Sequence, residues 1–161
     1  MLFLLGCAAR APVEVGPPVE TSGAFLLEAM GRKLAGTAVV SVGDDRWTLI
    51  GLAPTGTAFF TVSGGDGETE ASSPDEGMTQ VLGRIPFERD LWLLYRWRCA
   101  DRCRADNGTL RAPSSLRGIL QVEGDRVRWR GRGGPATVER IEGRTVLVDP
   151  RRRYTLTVLG P

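Results

Sequence analysis

The chain has 161 residues, 42% of them hydrophobic, which suits one domain with a core of its own. It has no histidine and a single lysine, Lys33, so the commonest general base and metal ligand is missing. The net charge is only +2, but residues 1–83 carry four basic and ten acidic side chains while residues 84–161 carry seventeen and nine.

Taken in order, Met1-Leu2-Phe3-Leu4-Leu5-Gly6-Cys7 is a short apolar run ending in a cysteine, with Gly6 directly before it and Leu4 three positions before it. The run resembles a bacterial lipoprotein signal ending in its lipobox. A basic leading region is missing and the apolar run is short, which a start codon further upstream would explain. The resemblance implies that Cys7 is acylated, with the domain facing the periplasm. Ala8, not an aspartate, follows the cysteine, so the outer membrane is the default address. Residues 8–22, with Pro12, Pro17, Pro18 and no apolar period, read as a tether that holds a domain of residues 23–161 near a bilayer. No later segment approaches 18 uninterrupted apolar residues, so no membrane-spanning helix is expected.

From Gly23 the pattern is that of short strands, at 24–32, 36–42, Trp47–Leu52, 57–63 and Glu68–Ser72. They are rich in Val, Phe, Thr and Trp and bounded by turn residues such as Gly43-Asp44-Asp45 and Pro54-Thr55-Gly56. Strands resume at 117–122, 126–132, Ala136–Ile141, 145–148 and Tyr154–Leu159, with Gly124-Asp125 and Glu142-Gly143 as hairpin turns. About ten strands with no βαβ unit predict a mainly β (α+β) fold, an antiparallel open barrel or half-barrel.

One helical block, 74–98, interrupts the strands. Asp75 and Glu76 suit its first turn, and Phe87, Leu91, Leu94 and Tyr95 fall at the spacing of one apolar face. It is the only candidate cover for the sheet. Cys99 and Cys103 close it. In an exported chain they are expected to form a disulfide, worth roughly 2 kcal/mol in so short a loop.

No catalytic constellation emerges. Triads in their usual form need the missing histidine, nothing ties Lys33 to a serine, and Gly64-Gly65-Asp66-Gly67 lacks the lysine and helix of a phosphate loop. A non-enzyme without metal or cofactor is expected. Two features could bind something. Arg126, Arg128, Arg130 and Arg132 alternate with Val127 and Trp129, so a strand would turn all four guanidinium groups to one face, basic enough for anionic head groups. An exported address argues against nucleic acid, and a solvated outer face is the plainer reading. The second feature is an excess of large apolar side chains: Phe25, Leu27, Trp47, Leu49, Phe59, Phe60, Trp92, Tyr95 and Trp129. In a barrel under a helical lid they could line a cavity for an acyl chain or another hydrophobic ligand, or simply fill the core.

The order of lipobox, tether, paired strands, helices and second strand set resembles the Lol-pathway lipoprotein carrier and receptor, and related outer-membrane lipoproteins of unknown function. The nearest thing to a motif is residues 47–60, where a Pro-x-Gly turn joins two strands with Leu52, Pro54, Thr55 and Gly56 at the expected cavity mouth. The resemblance implies an open barrel lidded by helices that binds acyl chains inside, as a monomer with a periplasmic lipoprotein or carrier as partner. The receptor's loop carries a leucine that delivers cargo to the membrane. Thr55 stands at the tip here, so the cavity is implied but not that insertion. The alternative is a structural or assembly lipoprotein with a filled core, working through protein contacts.

Overall fold

A computed structural model describes residues 11–98 and 108–159. In chain order the elements are β1 (Ala11–Pro12), β2 (Glu14–Val15), β3 (Val19–Ala29), β4 (Arg32–Val42), β5 (Trp47–Leu52), β6 (Ala58–Gly65) and β7 (Glu68–Ser72). Helices α1 (Glu76–Gly83) and α2 (Phe87–Leu91) follow, then a π-helical turn (Trp92–Arg96) and β8 (Trp97–Arg98). The rest is β9 (Thr109–Arg111), β10 (Gly118–Glu123), β11 (Arg126–Gly131), β12 (Ala136–Ile141), β13 (Arg144–Asp149) and β14 (Tyr154–Leu159). Cys7, Cys99 and Cys103 lie outside the described residues.

The mainly β expectation holds. Eleven antiparallel strands form one open sheet, made of two meanders, β3–β7 and β9–β14, that join where β14 pairs with β3. The short β1 adds a parallel bridge at the β9 edge, and β2 pairs with β8 in a separate ribbon. Period-two alternation drives the folding. Trp47, Leu49 and Gly51 turn inward on β5, Val127 and Trp129 on β11, and their neighbours turn outward. The hairpins at Met30-Gly31 and Asp66-Gly67 hold both turn residues at positive φ, the backbone whose twist matches the flanking strands.

The buried face of this sheet is occupied by the helical segments. Leu82, Phe87, Leu91 and Leu93 are all but inaccessible. The Phe87 ring lies 6.3 Å from Trp47 on β5, and Trp92 lies 6.1 Å from Trp129 on β11. Six strand spacings separate β5 from β11 in the sheet, about 29 Å if it were flat. Phe87 and Trp92 are five residues apart, about 7.5 Å along a helix. The sheet therefore curves around the helical segments.

Two expectations are corrected. The helical block ends at Arg96, short of the expected Arg98, because Trp97 and Arg98 form β8, and it divides at Pro86, the proline suited to a helix start. α1 is capped by Asp75, whose carboxylate accepts from the Met78 N–H at 3.1 Å, and α2 begins afresh after Pro86. Past Leu91 the π turn adds residues per turn and rotates the buried stripe. Trp92, Leu93 and Trp97 are buried, while Leu94 and Tyr95, placed on the apolar face by their spacing, are only half-buried. The second correction concerns the tether. Much of residues 11–22 is paired: β1 and β2 lie within this stretch, β3 begins at Val19 opposite Val42, and Val13 is buried with its N–H bonded to the Arg111 carbonyl at 3.0 Å.

Candidate functional site

A cluster of buried charges fastens α2 to the sheet. Arg89 and Asp90 are consecutive on α2, and Asp149 and Tyr154 are opposed at the base of the β13–β14 hairpin. All four are at most 3% exposed. Arg89 donates from Nε to Asp90 at 2.8 Å, and from Nη2 to Asp149 at 3.0 Å and to the Tyr154 hydroxyl oxygen at 2.7 Å. Its Nη1 donates to the Gly133 and Gly134 carbonyls, each at 2.9 Å. Both glycines have positive φ, which turns those carbonyls onto the guanidinium. Tyr154 donates its hydroxyl proton to Asp90, and the Arg152 N–H caps Asp149 at 2.8 Å.

Desolvation dominates the electrostatics of this cluster. Burial pushes the Asp90 carboxyl up to about 6, against the pull of Arg89 and the Tyr154 hydrogen bond. Burial, then the neighbouring Asp90 charge, raises the Tyr154 phenol, so it stays protonated and serves as a donor. Burial opposes the charge on Arg89, but Asp90 and Tyr154 outweigh it and hold the guanidinium above its ordinary value. With every donor matched and solvent excluded, the arrangement is a lock between helix and sheet.

Beside this lock lies an open cleft of about 350 Å³. Val42 and Trp47 frame the β4–β5 turn on one side, Trp92 and Arg96 come from the π turn, and Val15, Pro113 and Leu116 complete the wall. Asp44, Asp45, Arg46 and Glu88 form its rim. The same acidic rim borders a second, polar cleft that also reaches Asp66, Arg117 and Arg132. Arg96 is fixed by a bond from Nη1 to the Val42 carbonyl at 3.0 Å and by an ion pair with Asp44 at 2.5 Å.

Two buried donors find no acceptor among the described residues, Trp47 Nε1 and Arg96 Nε, each on a residue that also lines this cleft. The other buried indoles with described partners behave differently. Trp97 Nε1 donates to the Leu93 carbonyl at 2.6 Å, and Trp129 Nε1 to the Arg132 carbonyl at 3.1 Å. Leaving a buried donor unmet costs about 1–3 kcal/mol.

Of the nine side chains expected to line a cavity, only Trp47 and Trp92 line this cleft. Phe25, Leu27, Leu49, Phe60 and Trp129 are core residues, with Phe59 and Tyr95 packed against them half-buried. Phe25, Phe59 and Phe60 form a ring cluster with centroids 5.1–6.3 Å apart. The turn after β5 is exposed at Pro54, Thr55 and Gly56, with Gly56 at positive φ and Leu52 half-buried. Arg126, Arg128 and Arg130 are exposed on β11 as the alternation required, whereas β11 ends at Gly131 and Arg132 is exposed in the turn that follows. Arg126 pairs with Glu139 and Arg128 with Glu123 at 3.3 Å, so flanking strands neutralise half of the ladder. Among the described residues, no group of three or more Cys, Asp or Glu side chains is placed to hold a metal ion, and no helix is long and apolar enough to cross a membrane. Residues 11–98 and 108–159 contain no cysteine, so the expected lipidation and disulfide lie outside the described residues. No protein-family model matches the chain, and no curated protein matches it either.

Sequence reasoning did not find the buried lock. Arg89 and Asp90 look like solvated helix charges, and Asp149 lies 60 residues from Arg89. The one available signal was polar residues standing at core positions: Asp149 and Tyr154 continue the inward alternation of Leu147 and Leu156.

Proposed function

We propose that the chain is a non-catalytic outer-membrane lipoprotein, anchored through Cys7, that binds an acyl chain or a similar hydrophobic molecule. Its sheet acts as a half-barrel of the lipoprotein-carrier kind, and the helical segments 76–96 serve as its lid. The observation that carries this reading is the cleft between β5 and the π turn, whose wall includes two largely buried indole rings, Trp47 and Trp92, with Val42 and Leu116. About 350 Å³ is within the range of small-ligand sites, and burying an apolar ligand there contributes about 25 cal/mol for each Å² removed from water. The cargo lies at the margin of the lid, because the helical side chains already fill the centre of the sheet.

That filled centre also supports the second reading, a structural lipoprotein working through protein contacts. The two readings separate on a titration of the purified chain with the neutral dye N-phenyl-1-naphthylamine. A binding cleft raises the dye's emission saturably, and Trp92→Ala weakens uptake by about tenfold while the chain stays folded by circular dichroism. A structural lipoprotein gives no saturable uptake in the wild type.

A further inference from the structure

The path of the N-terminal segment and the arginine face meet at one edge of the sheet. β1 pairs with β9 so that Ala11 stands opposite Leu110 and Pro12 opposite Arg111. Only residues 8–10 therefore separate Cys7 from this edge, and the four residue steps from Cys7 to Ala11 span at most about 14 Å. An acylated Cys7 would hold β9 and its neighbours against the bilayer. Register decides what that edge presents. Ile119 on β10 stands opposite both Arg111 on β9 and Arg130 on β11, so the three share one outward row. Residues 109–131 carry five arginines against Glu123 and Asp125. Arg126 and Arg128 are paired with glutamates, but Arg111 and Arg130, both exposed, form no ion pair with any described carboxylate. Arg117 and Arg132 line the polar cleft together with Asp44, Asp45, Asp66 and Glu88, so the free cations of this face are Arg111 and Arg130.

We propose that the outer face of β9–β11 docks on the anionic phospholipid surface to which Cys7 ties the chain, with Arg111 and Arg130 against lipid phosphates and Ile119 between them. A guanidinium presents paired N–H donors that match phosphate oxygens. The attraction of an anionic leaflet fades within a Debye length, about 8 Å at physiological salt. A free arm of fifteen residues would let the domain drift beyond that range, whereas the three residues before β1 keep these arginines near it. The proposal rests on the lipoprotein reading for its anchor. It adds that the domain has a fixed orientation on the membrane, set by one charged face, and does not tumble on a tether.

The test is sedimentation of the Cys7→Ser chain with vesicles, phosphatidylcholine containing phosphatidylglycerol against phosphatidylcholine alone, at about 50 mM salt where screening is weak. The chain is expected to partition about tenfold better onto the anionic vesicles. Arg111→Gln combined with Arg130→Gln should remove most of that preference. Arg151→Gln combined with Arg153→Gln takes the same charge from the exposed turn before β14 and should lower it by less than about twofold. Equal losses in the two double variants overturn the proposal, because net charge alone would then explain the binding. Equal partitioning of the unsubstituted face onto both kinds of vesicle, or none onto either, overturns it as well. Intact mass of the chain extracted from its natural host separates this outcome from that of the anchor. An acylated Cys7 supports the short arm, while an unmodified Cys7 overturns the lipoprotein reading and leaves the vesicle comparison to judge the face by itself.

Discussion

Arg89 bridges two buried carboxylates, a phenol and two backbone carbonyls from three separate segments of the chain. Replacing it with methionine keeps the stem but strands Asp90 without its counter-ion and leaves Asp149 only the partly exposed Arg152. Such a change is expected to cost about 3–5 kcal/mol in urea unfolding. Tyr154→Phe removes only the hydroxyl that Asp90 and Arg89 share, and should cost about 1–3 kcal/mol. Asp90 also gives the fold a pH signature. Its carboxyl is pushed up to about 6 in the folded chain against about 3.9 unfolded, so the folded state binds the proton more tightly. Stability from this group is therefore fully present below pH 4 and is lost as pH rises through 6, on the order of 3 kcal/mol. Urea midpoints of the wild type should fall over that window relative to Asp90→Asn. Parallel pH profiles for the two chains would remove the assignment.

The elements explain which parts of the chain could be foreseen. Trp47–Leu52, Ala136–Ile141 and Tyr154–Leu159 coincide with the expected strands because alternation and turn residues mark both ends of each. The hairpin at Met30-Gly31 was merged into a strand because methionine carries none of the usual turn signal. The two-residue turn closed by the Ala29–Arg32 pairing sets its positive φ of 52°. The π turn was invisible for a similar reason: a 3.6-residue period describes Phe87 to Leu91 but not Trp92 to Arg96, where Trp97 Nε1 reaches back to the Leu93 carbonyl. In the candidate site, Trp47 and Trp92 were legible as large apolar side chains. Arg96 was not, because nothing local says that a charge will be buried against the carbonyl of Val42. Leu93 lies in the turn and is fully buried, so Leu93→Ala should cost about 2–5 kcal/mol in denaturant unfolding. A loss near zero would place the turn outside the core.

For the whole molecule, the two meanders join in one sheet where β14 pairs with β3, and the helical segments bridge them from the buried face. The N-terminal segment belongs to this construction. A chain truncated to begin at Gly23 loses β1, β2 and the first four residues of β3, and its thermal midpoint should drop by several degrees. A chain beginning at Ala11 keeps those pairings and should melt like the full one. The central claim, that the curved sheet and its cleft carry hydrophobic cargo, is tested most directly by native mass spectrometry of the Cys7→Ser chain purified from its natural host without detergent. The account predicts added mass that leaves on denaturation and extracts into organic solvent. A bare polypeptide mass, from a chain that also takes up no apolar dye, would contradict it and turn attention to the arginine face and the turn at Thr55 as protein-contact surfaces.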